Sequence, residues 1–277
     1  MQWSKLSSSQ FAKLARETVC VLPIGATEQH GSHLPVATDF LIATALAERV
    51  DNACREQLLV MPGLAITCSA HHMAFAGTLS IDHDSFLRII RQVLSSAAQH
   101  GLRRFFLLNS HGGNIAVGGV AAEQLSAALP ECDVVFATWF RAAAEQLRPL
   151  VEGEFPAVGH ACEFETSIIL AIHPELVDTD AIVDDGIPPQ ASLLQADLLS
   201  GGPAIRSLPF DRITRHGVFG KPSLATAEKG QTILDITVSA LRDLLAAYWP
   251  DAPGIASAGP AELPHGNASN GVASRNK

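Results

Sequence analysis

Residues 104–114 read Arg-Phe-Phe-Leu-Leu-Asn-Ser-His-Gly-Gly-Asn, and this stretch decides the fold. Its first six residues form a short apolar run that is typical of a buried β-strand, and the small and polar residues after them predict a turn. A helix is predicted to follow over residues 115–129. Strand, turn and helix in this order are the unit of α/β proteins, and the order places His111 at the carboxyl end of a strand.

The same unit recurs on both sides of this stretch. Apolar runs predict further strands over 18–26, 58–66 and 133–140. Helical spacing of apolar residues predicts helices over 40–57, 84–101, 141–150, 165–172 and 226–249. This alternation implies a parallel sheet covered by helices on both faces, with ligands bound outside the carboxyl ends of the strands.

The composition predicts a soluble cytoplasmic protein. The chain has 277 residues, 47% of them apolar, and a formal net charge of −9. Nucleic-acid binding depends on a basic surface, so the acidic charge and the absence of Lys or Arg runs argue against it. No apolar stretch approaches the roughly 20 residues that span a membrane. The five cysteines are odd in number and widely spaced, which indicates reduced thiols in a reducing compartment.

Two regions differ in composition. Residues 1–250 have the length and apolar content of one large domain. Residues 251–277 are rich in Gly, Pro, Ala, Ser and Asn, which cannot bury a core, so a disordered C-terminal tail is predicted there.

Histidines and carboxylates are concentrated in three short segments, 28–39, 109–114 and 160–165. Each segment follows a predicted strand or loop, so the three could converge at one edge of the sheet. Imidazole and carboxylate ligands without paired thiols suit Zn, Mn, Fe or Ni. The segments therefore predict a metal-dependent hydrolase.

Several of these residues also have plainer interpretations. Asp39 is placed to cap the helix that begins near residue 40. The Gly-Gly-Asn turn at 112–114 could hold a phosphate, although it lacks the spacing of nucleotide-binding fingerprints. His33 is interpreted as a packed, hydrogen-bonded loop residue, and His71 and His72 as pocket lining or a subunit contact.

Five motifs occur in a recognisable order. They are 22–35 (LPIGATEQHGSHLP) with Thr38-Asp39, then 75–80 (FAGTLS), 109–114 (NSHGGN), 160–167 (HACEFETS) and 217–230, from Gly-Val to Ala-Thr-Ala-Glu-Lys-Gly. Together they resemble the creatininase (creatinine amidohydrolase) family over roughly residues 15–245. The resemblance implies an α/β fold of the three-layer α/β/α sandwich type with a mostly parallel central sheet. It also implies a hexamer.

The resemblance further implies a centre of two divalent metal ions that activates water to cleave an amide bond. Glu28, Asp39 and His111 match the ligands of one ion, and His30 and Asp39 match ligands of the second, so Asp39 would bridge. Two such cations about 3.5 to 4 Å apart lower the pKa of a shared water toward about 7.

One metal ligand and the proton-transfer group lie on the 160–165 segment in this interpretation. Creatininase proper has a further ligand Glu two residues after the histidine, where this chain has Gly113. Glu163 is the predicted replacement, with Glu165 as a neighbouring or capping group that could exchange roles with it. His160 matches the general acid or base, for which an imidazole is suited.

The predicted function is hydrolysis of a small amide, open or cyclic, with zinc as the first choice of metal and manganese or iron as alternatives. Creatininase proper has aromatic residues where this chain has Gly112 and Pro156, which argues against creatinine as the substrate. One alternative is a metallopeptidase that trims a short peptide in cofactor biosynthesis. Another is a non-catalytic ligand-binding or assembly protein, suggested also by Cys162, which stands where the family usually has Gly.

Overall fold

The central sheet has four parallel strands. The computed structural model describes residues 1–152, 158–185, 197–199, 201 and 207–255. The strands are β1 Val19–Ile24, β2 Leu59–Val60, β3 Arg104–Asn109 and β4 Asp133–Thr138, in the order β2-β1-β3-β4. β1 pairs with β3 along its whole length, and Ile24 lies opposite Asn109. The carboxyl ends of the two central strands are therefore adjacent.

Helices connect and cover the strands. In chain order they are α1 Ser8–Phe11, α2 Thr38–Ala53, α3 His83–Gln99, α4 Ile115–Ala128, α5 Trp139–Ala142, α6 Ala144–Leu147, α7 Glu163–Ile172 and α8 Ala227–Tyr248. α3 begins after Asp82, whose side chain accepts a hydrogen bond from the Ser85 amide. α3 ends at Gln99, and Gly101 follows it with a φ of +92° that suits glycine. No helix in the described ranges is long and apolar enough to cross a membrane.

Alternate strand residues face two separate helical layers. Val21 and Phe106 point to one face, where they join a core built with α2, α5, α6, α7 and α8. Leu22 and Phe105 point to the other face, where α3 and α4 cover them. Strands buried on both faces are the mark of a parallel sheet between helices, so the predicted three-layer α/β/α architecture is confirmed.

Among the described residues, α7 and α8 pack closely against each other. A Cβ atom at Gly230 of α8 would lie 1.9 Å from the Ser167 carbonyl oxygen of α7, so the two backbones meet directly. The Thr226 amide, just before α8, also donates a hydrogen bond to Ser167 Oγ at 3.1 Å. The N-terminal half of α7 is thereby held against α8.

Several predicted boundaries differ from the structure. The strand predicted over 58–66 pairs in the sheet only at Leu59–Val60, and a later isolated bridge joins Leu64 to Ile24. The helix predicted over 141–150 is divided into α5, α6 and a 3-10 turn over Arg148–Leu150. Pro149 lies in that turn, and because proline lacks the amide hydrogen of a regular helix, it accounts for the end of α6. α5 also takes the last residues of the strand predicted over 133–140.

The C-terminal boundary also moves. The tail was predicted to begin at 251, yet Ala252 and Ile255 are buried in the core, and Asp251 Oδ2 lies 2.8 Å from Arg104 Nη2. These apolar side chains bury surface against the layer that contains α8, which keeps residues 251–255 on the domain. Residues 256–277 lie outside the described part of the chain.

Candidate metal centre

The site forms where β1 and β3 end and α2 begins. A Cβ atom at Gly25 would lie 2.4 Å from Phe40 Cα, so glycine after β1 allows the start of α2 to approach. Glu28 follows in a loop, where its amide donates to the Val36 carbonyl at 2.9 Å. Asp39 lies within the first turn of α2, and Ala37 occupies the N-cap position, so Asp39 is not the cap. Both carboxylates are buried.

His111 faces both of these carboxylates. Its Nδ1 lies 3.2 Å from Glu28 Oε1 and 3.1 Å from Asp39 Oδ2. Its Nε2 lies 3.1 Å from the Cys68 carbonyl oxygen, which can only accept, so Nε2 carries a proton. In the neutral ring Nδ1 then has its lone pair directed at the carboxylates, which is the arrangement of a metal-binding histidine.

His30 repeats this arrangement on the other oxygen of Asp39. Its Nδ1 donates to the Glu28 carbonyl oxygen at 3.0 Å. Its Nε2 lies 3.6 Å from Asp39 Oδ1 and 3.9 Å from Glu165 Oε1. The two oxygens of Asp39 thus face two different imidazoles.

The structure does not bring Glu163 to this cluster, in contrast to the prediction. Glu163 Oε1 accepts a hydrogen bond from the Glu152 amide at 3.0 Å, and Oε2 lies 3.9 Å from Lys229 Nζ. Glu165 faces the histidines instead, and its Oε2 accepts from the Ala161 amide at 2.6 Å. The reason is that α7 already begins at Glu163. Two residues apart on a helix differ by about 200° in direction, so only one of the two carboxylates can face the site.

Position 113 excludes a carboxylate for steric reasons. A Cβ atom at Gly113 would lie 2.3 Å from His111 Nε2 and 2.6 Å from the Cys68 carbonyl oxygen. Any side chain there would displace the bond that orients His111. A ligand at this position is therefore incompatible with the observed geometry, and Glu165 is the buried carboxylate that takes its place beside His30.

The donor set fits divalent metal ions. Eight buried side-chain atoms in the described residues have no hydrogen-bond partner, and three of them belong to this donor set, namely Glu28 Oε2, His30 Nε2 and Asp39 Oδ2. Buried polar atoms are normally paired, so the convergence of these three atoms fits a site that binds a cation. Four overlapping sets of three residues have donor atoms within 4.8 Å of one another: Glu28-His30-Asp39, His30-His160-Glu165, Glu28-His71-His111 and Glu28-His72-His160.

Opposite charges stabilise the cluster when no cation is bound. Burial alone would raise the pKa of Glu28, but His111 and the other imidazoles outweigh burial and hold that pKa well below its usual range. Burial alone would lower the pKa of His30, but the neighbouring carboxylates, Asp39 first, raise it to about 9. The pKa of His111 is likewise raised well above its usual value by Glu28 and Asp39. The carboxylates therefore favour the protonated forms of His30 and His111.

His160 lies over the cluster with one nitrogen free. Its backbone makes both hydrogen bonds of an isolated bridge with Phe219, at 3.0 and 2.8 Å. Its Nε2 donates to the Gln29 carbonyl oxygen at 2.7 Å, and its Nδ1 lies 3.6 Å from Glu28 Oε1. Burial first, then the charges of His30 and His72, lower the pKa of His160 well below its usual value. A neutral His160 presents the Nδ1 lone pair to the site.

Other predicted residues are placed as follows. His33 is buried, its Nε2 lies 2.9 Å from Thr166 Oγ1, and it belongs to none of the four donor sets found in the described residues. His71 and His72 line the site, as predicted, and His72 Nε2 lies 3.6 Å from Glu28 Oε1. Pro156 lies outside the described residues.

Sequence reasoning missed two residues that contact the histidines. The ring of Phe210 lies 4.1 Å from that of His72 and 4.8 Å from that of His160, measured between centroids. Gln29 contacts the same two imidazoles through its side-chain amide. Phe210 carried no signal because it lies in an irregular segment far along the chain. Gln29 lies between two predicted ligands, Glu28 and His30, and this position in the sequence could have identified it.

Comparison with known proteins identifies the family of the chain. The creatininase family, described as creatinine amidohydrolase, matches residues 4–245. The chain is 32% identical over 252 residues to the creatinine amidohydrolase of Pseudomonas putida, covering 85% of this chain and 92% of that protein. It is 31% identical over 242 residues to the mycofactocin precursor peptide peptidase of Mycobacterium ulcerans, covering 85% and 87%.

Solved structures give the same result. The structure named Creatininase Mn has a TM-score of 0.72 and 30% identity, covering 90% of this chain and 98% of that chain. A mutant creatininase of the Zn-Zn type gives the same values. The family match covers most of the chain, and a relative above 30% identity is covered almost completely. The chain therefore belongs to the creatininase family and is a hydrolase of carbon–nitrogen bonds.

Proposed function

We propose that the protein is an amidohydrolase with two divalent metal ions, and that it cleaves the amide bond of a small open or cyclic substrate. The observation that carries the proposal is the position of Asp39, whose two carboxylate oxygens face His30 and His111 separately. Glu28, Asp39 and His111 would hold one ion, and His30, Asp39 and Glu165 the other. Glu165 replaces Glu163 in this assignment because it alone faces His30.

The donor chemistry supports zinc first, with manganese or iron as alternatives. Related creatininase structures named for Mn and for a Zn-Zn type support the same range. When bound, such a pair of ions acidifies water and polarises the carbonyl of an amide.

The chain's own residues then orient the ligands and move a proton. The Cys68 and Glu28 carbonyl oxygens hold His111 and His30 in the tautomers that face Asp39. His160 keeps the proton on Nε2 against the Gln29 carbonyl oxygen, so its Nδ1 can accept a proton and deliver it to the leaving nitrogen. The covering ring of Phe210 keeps bulk water away from these imidazoles.

The substrate is proposed to differ from creatinine. Gly112 carries no aromatic ring, and a Cβ atom there would meet the Leu198 side chain at 3.2 Å. The alternative of a peptide-trimming enzyme has specific support, because the mycofactocin precursor peptide peptidase is nearly as similar as the P. putida enzyme. The non-catalytic alternative has no such support, since the buried unpaired donors are retained.

Metal analysis and a substrate panel test the proposal together. Purified protein supplied with zinc or manganese is expected to bind two equivalents per chain, and Asp39→Ala is expected to lose both because Asp39 contacts both sets. Less than one equivalent in the unaltered protein would refute a metal-dependent enzyme. A panel of creatinine, hydantoins, lactams, formamides and short peptides, with and without chelator, then separates the amidohydrolase from the peptidase.

The cellular setting is also a proposal. None of the five cysteines forms a disulfide, which supports the cytoplasm. An oligomer, a hexamer by resemblance, is proposed as well, and elution at monomer mass on a calibrated column would contradict it. Residues 1–250 are proposed to act as one domain.

A further inference from the structure

His72 belongs to one set of donors that could bind a metal, yet its hydrogen bonds point to another role. Its Nε2 is directed at Glu28 Oε1 across 3.6 Å, and its Nδ1 lies 2.8 Å from Gln29 Nε2. The ring nitrogen of His72 that carries the proton depends on whether the side-chain amide of Gln29 presents its oxygen or its nitrogen to Nδ1. Backbone atoms, whose donor or acceptor character is fixed, determine which of the two it presents.

The orientation of the Gln29 amide is set by Gly31. The Gly31 amide is a donor and lies 3.0 Å from Gln29 Oε1, so the oxygen must be at that position. Gln29 Nε2, which can only donate, then faces His72 Nδ1. Glycine at 217 leaves the space that this orientation needs, since a Cβ atom there would lie 1.9 Å from Gln29 Oε1.

It follows that His72 Nδ1 accepts a hydrogen bond from Gln29 Nε2, and that His72 Nε2 carries the ring N–H hydrogen. A nitrogen that must keep its hydrogen offers no lone pair, so His72 is not a metal ligand. Among the imidazoles around Glu28 Oε1, His111 and His160 both present lone pairs in their neutral forms. The N–H of His72 is the donor that remains for this carboxylate.

We propose that Gln29 and His72 form a positioning pair that holds the Glu28 carboxylate for its metal ion. Gln29 fixes the tautomer of His72, and the Nε2–H of His72 orients Glu28. At 3.6 Å the contact is longer than a hydrogen bond, and a shift of about 0.5 Å brings it into range. Ligating carboxylates typically need such a partner, and its loss costs about 10- to 100-fold in metal affinity. This inference rests on the proposed metal centre.

Metal affinity, measured by competition with a zinc chelator that changes colour, tests the pair. His72→Leu is expected to bind zinc to the same final stoichiometry as the unaltered protein, with about 10- to 100-fold weaker affinity for one ion. His72→Gln, which keeps an N–H near the same position, should recover most of that loss. His33→Leu is the matched control, because it removes another buried, neutral imidazole that hydrogen-bonds Thr166 instead.

A second variant tests the link between the two residues. Gln29→Leu should weaken zinc binding in the same direction, and combining it with His72→Leu should add little, since Gln29 acts through His72. Loss of one zinc equivalent at saturation in His72→Leu, without recovery in His72→Gln, would make His72 a ligand and overturn the proposal. Unaltered affinity in His72→Leu would also overturn it. If the unaltered protein binds no metal, the proposed function fails first.

Discussion

The choice between Glu165 and Glu163 as the last metal ligand gives the sharpest prediction. The two carboxylates lie two residues apart on α7 and face opposite sides of it. Glu165→Gln and Glu163→Gln are therefore matched variants with the same chemical change on the same helix. Only Glu165→Gln is expected to weaken metal binding.

The size of the effect follows from the number of ligands. Four-ligand zinc sites bind with about 10–16 kcal/mol, or about 2.5–4 kcal/mol per ligand. Since about 1.4 kcal/mol is a factor of ten, Glu165→Gln should weaken one ion by about 10²- to 10³-fold. Burial first, against the attraction of His30, raises the pKa of Glu165 to about 7. A raised carboxyl pKa means that folding disfavours the ionised form of Glu165. Above pH 7 the metal-free Glu165→Gln variant should therefore be no less stable than the metal-free unaltered protein.

Glu163→Gln should keep both ions. It removes a contact to Lys229, but Lys229 Nζ still lies 2.9 Å from Glu152 Oε1, so a loss of about 1 kcal/mol in stability is expected. Chelator competition gives the affinities, and thermal unfolding of the metal-free proteins gives the stability. Weakened binding in Glu163→Gln, together with normal binding in Glu165→Gln, would refute the reasoning and restore the prediction made from sequence.

Three further predictions concern the same centre. Because the pKa values of His30 and His111 are raised, both imidazoles favour the protonated form in the metal-free protein. Zinc binding should therefore release protons and become stronger as the pH rises toward about 9. Calorimetric heats of binding that do not depend on the buffer would contradict this. Gly113→Ala should displace His111 and cost about 1–3 kcal/mol of stability with weaker zinc binding, seen as a lower unfolding temperature; an unchanged temperature would show that the loop adjusts. His160→Asn should lower kcat by about 10²- to 10⁴-fold with both ions retained; loss of an ion would make His160 a ligand.

Much of the fold follows from local sequence patterns. β3 was predicted at the residues where it occurs, and the helix predicted over 226–249 differs from α8 only by its two capping residues. Both have strong signals, a compact apolar run in one case and long helical spacing in the other. The end of the strand in segment 58–66 was harder to predict, because apolar residues continue past the two that pair with β1. An apolar run alone does not show where a chain leaves the sheet.

The site was predictable in its residue types and less so in its geometry. Glu28, His30, Asp39 and His111 converge as expected because parallel strands end at the same edge. Glu163 was predicted from the resemblance, whereas which of Glu163 and Glu165 faces the histidines depends on where α7 begins. The predicted helix began at 165, two residues after the observed start of α7 at Glu163, so the predicted boundary could not show which carboxylate points toward the site.

The cover over the histidines comes from a different part of the chain than the histidines themselves. All the proposed ligands and His160 occur before residue 166, whereas Leu198, Phe210 and Phe219 come after it. The ring of Phe210 contacts the imidazoles without carrying a proposed ligand, so its substitution can change how the site is covered while the ligands stay constant. Phe219 and Gly217 differ from it, because the backbone of Phe219 holds His160 and Gly217 packs against Gln29. New substrates are therefore best sought by varying Phe210 and Leu198 while Gly217, Phe219 and the ligand-bearing segments stay constant.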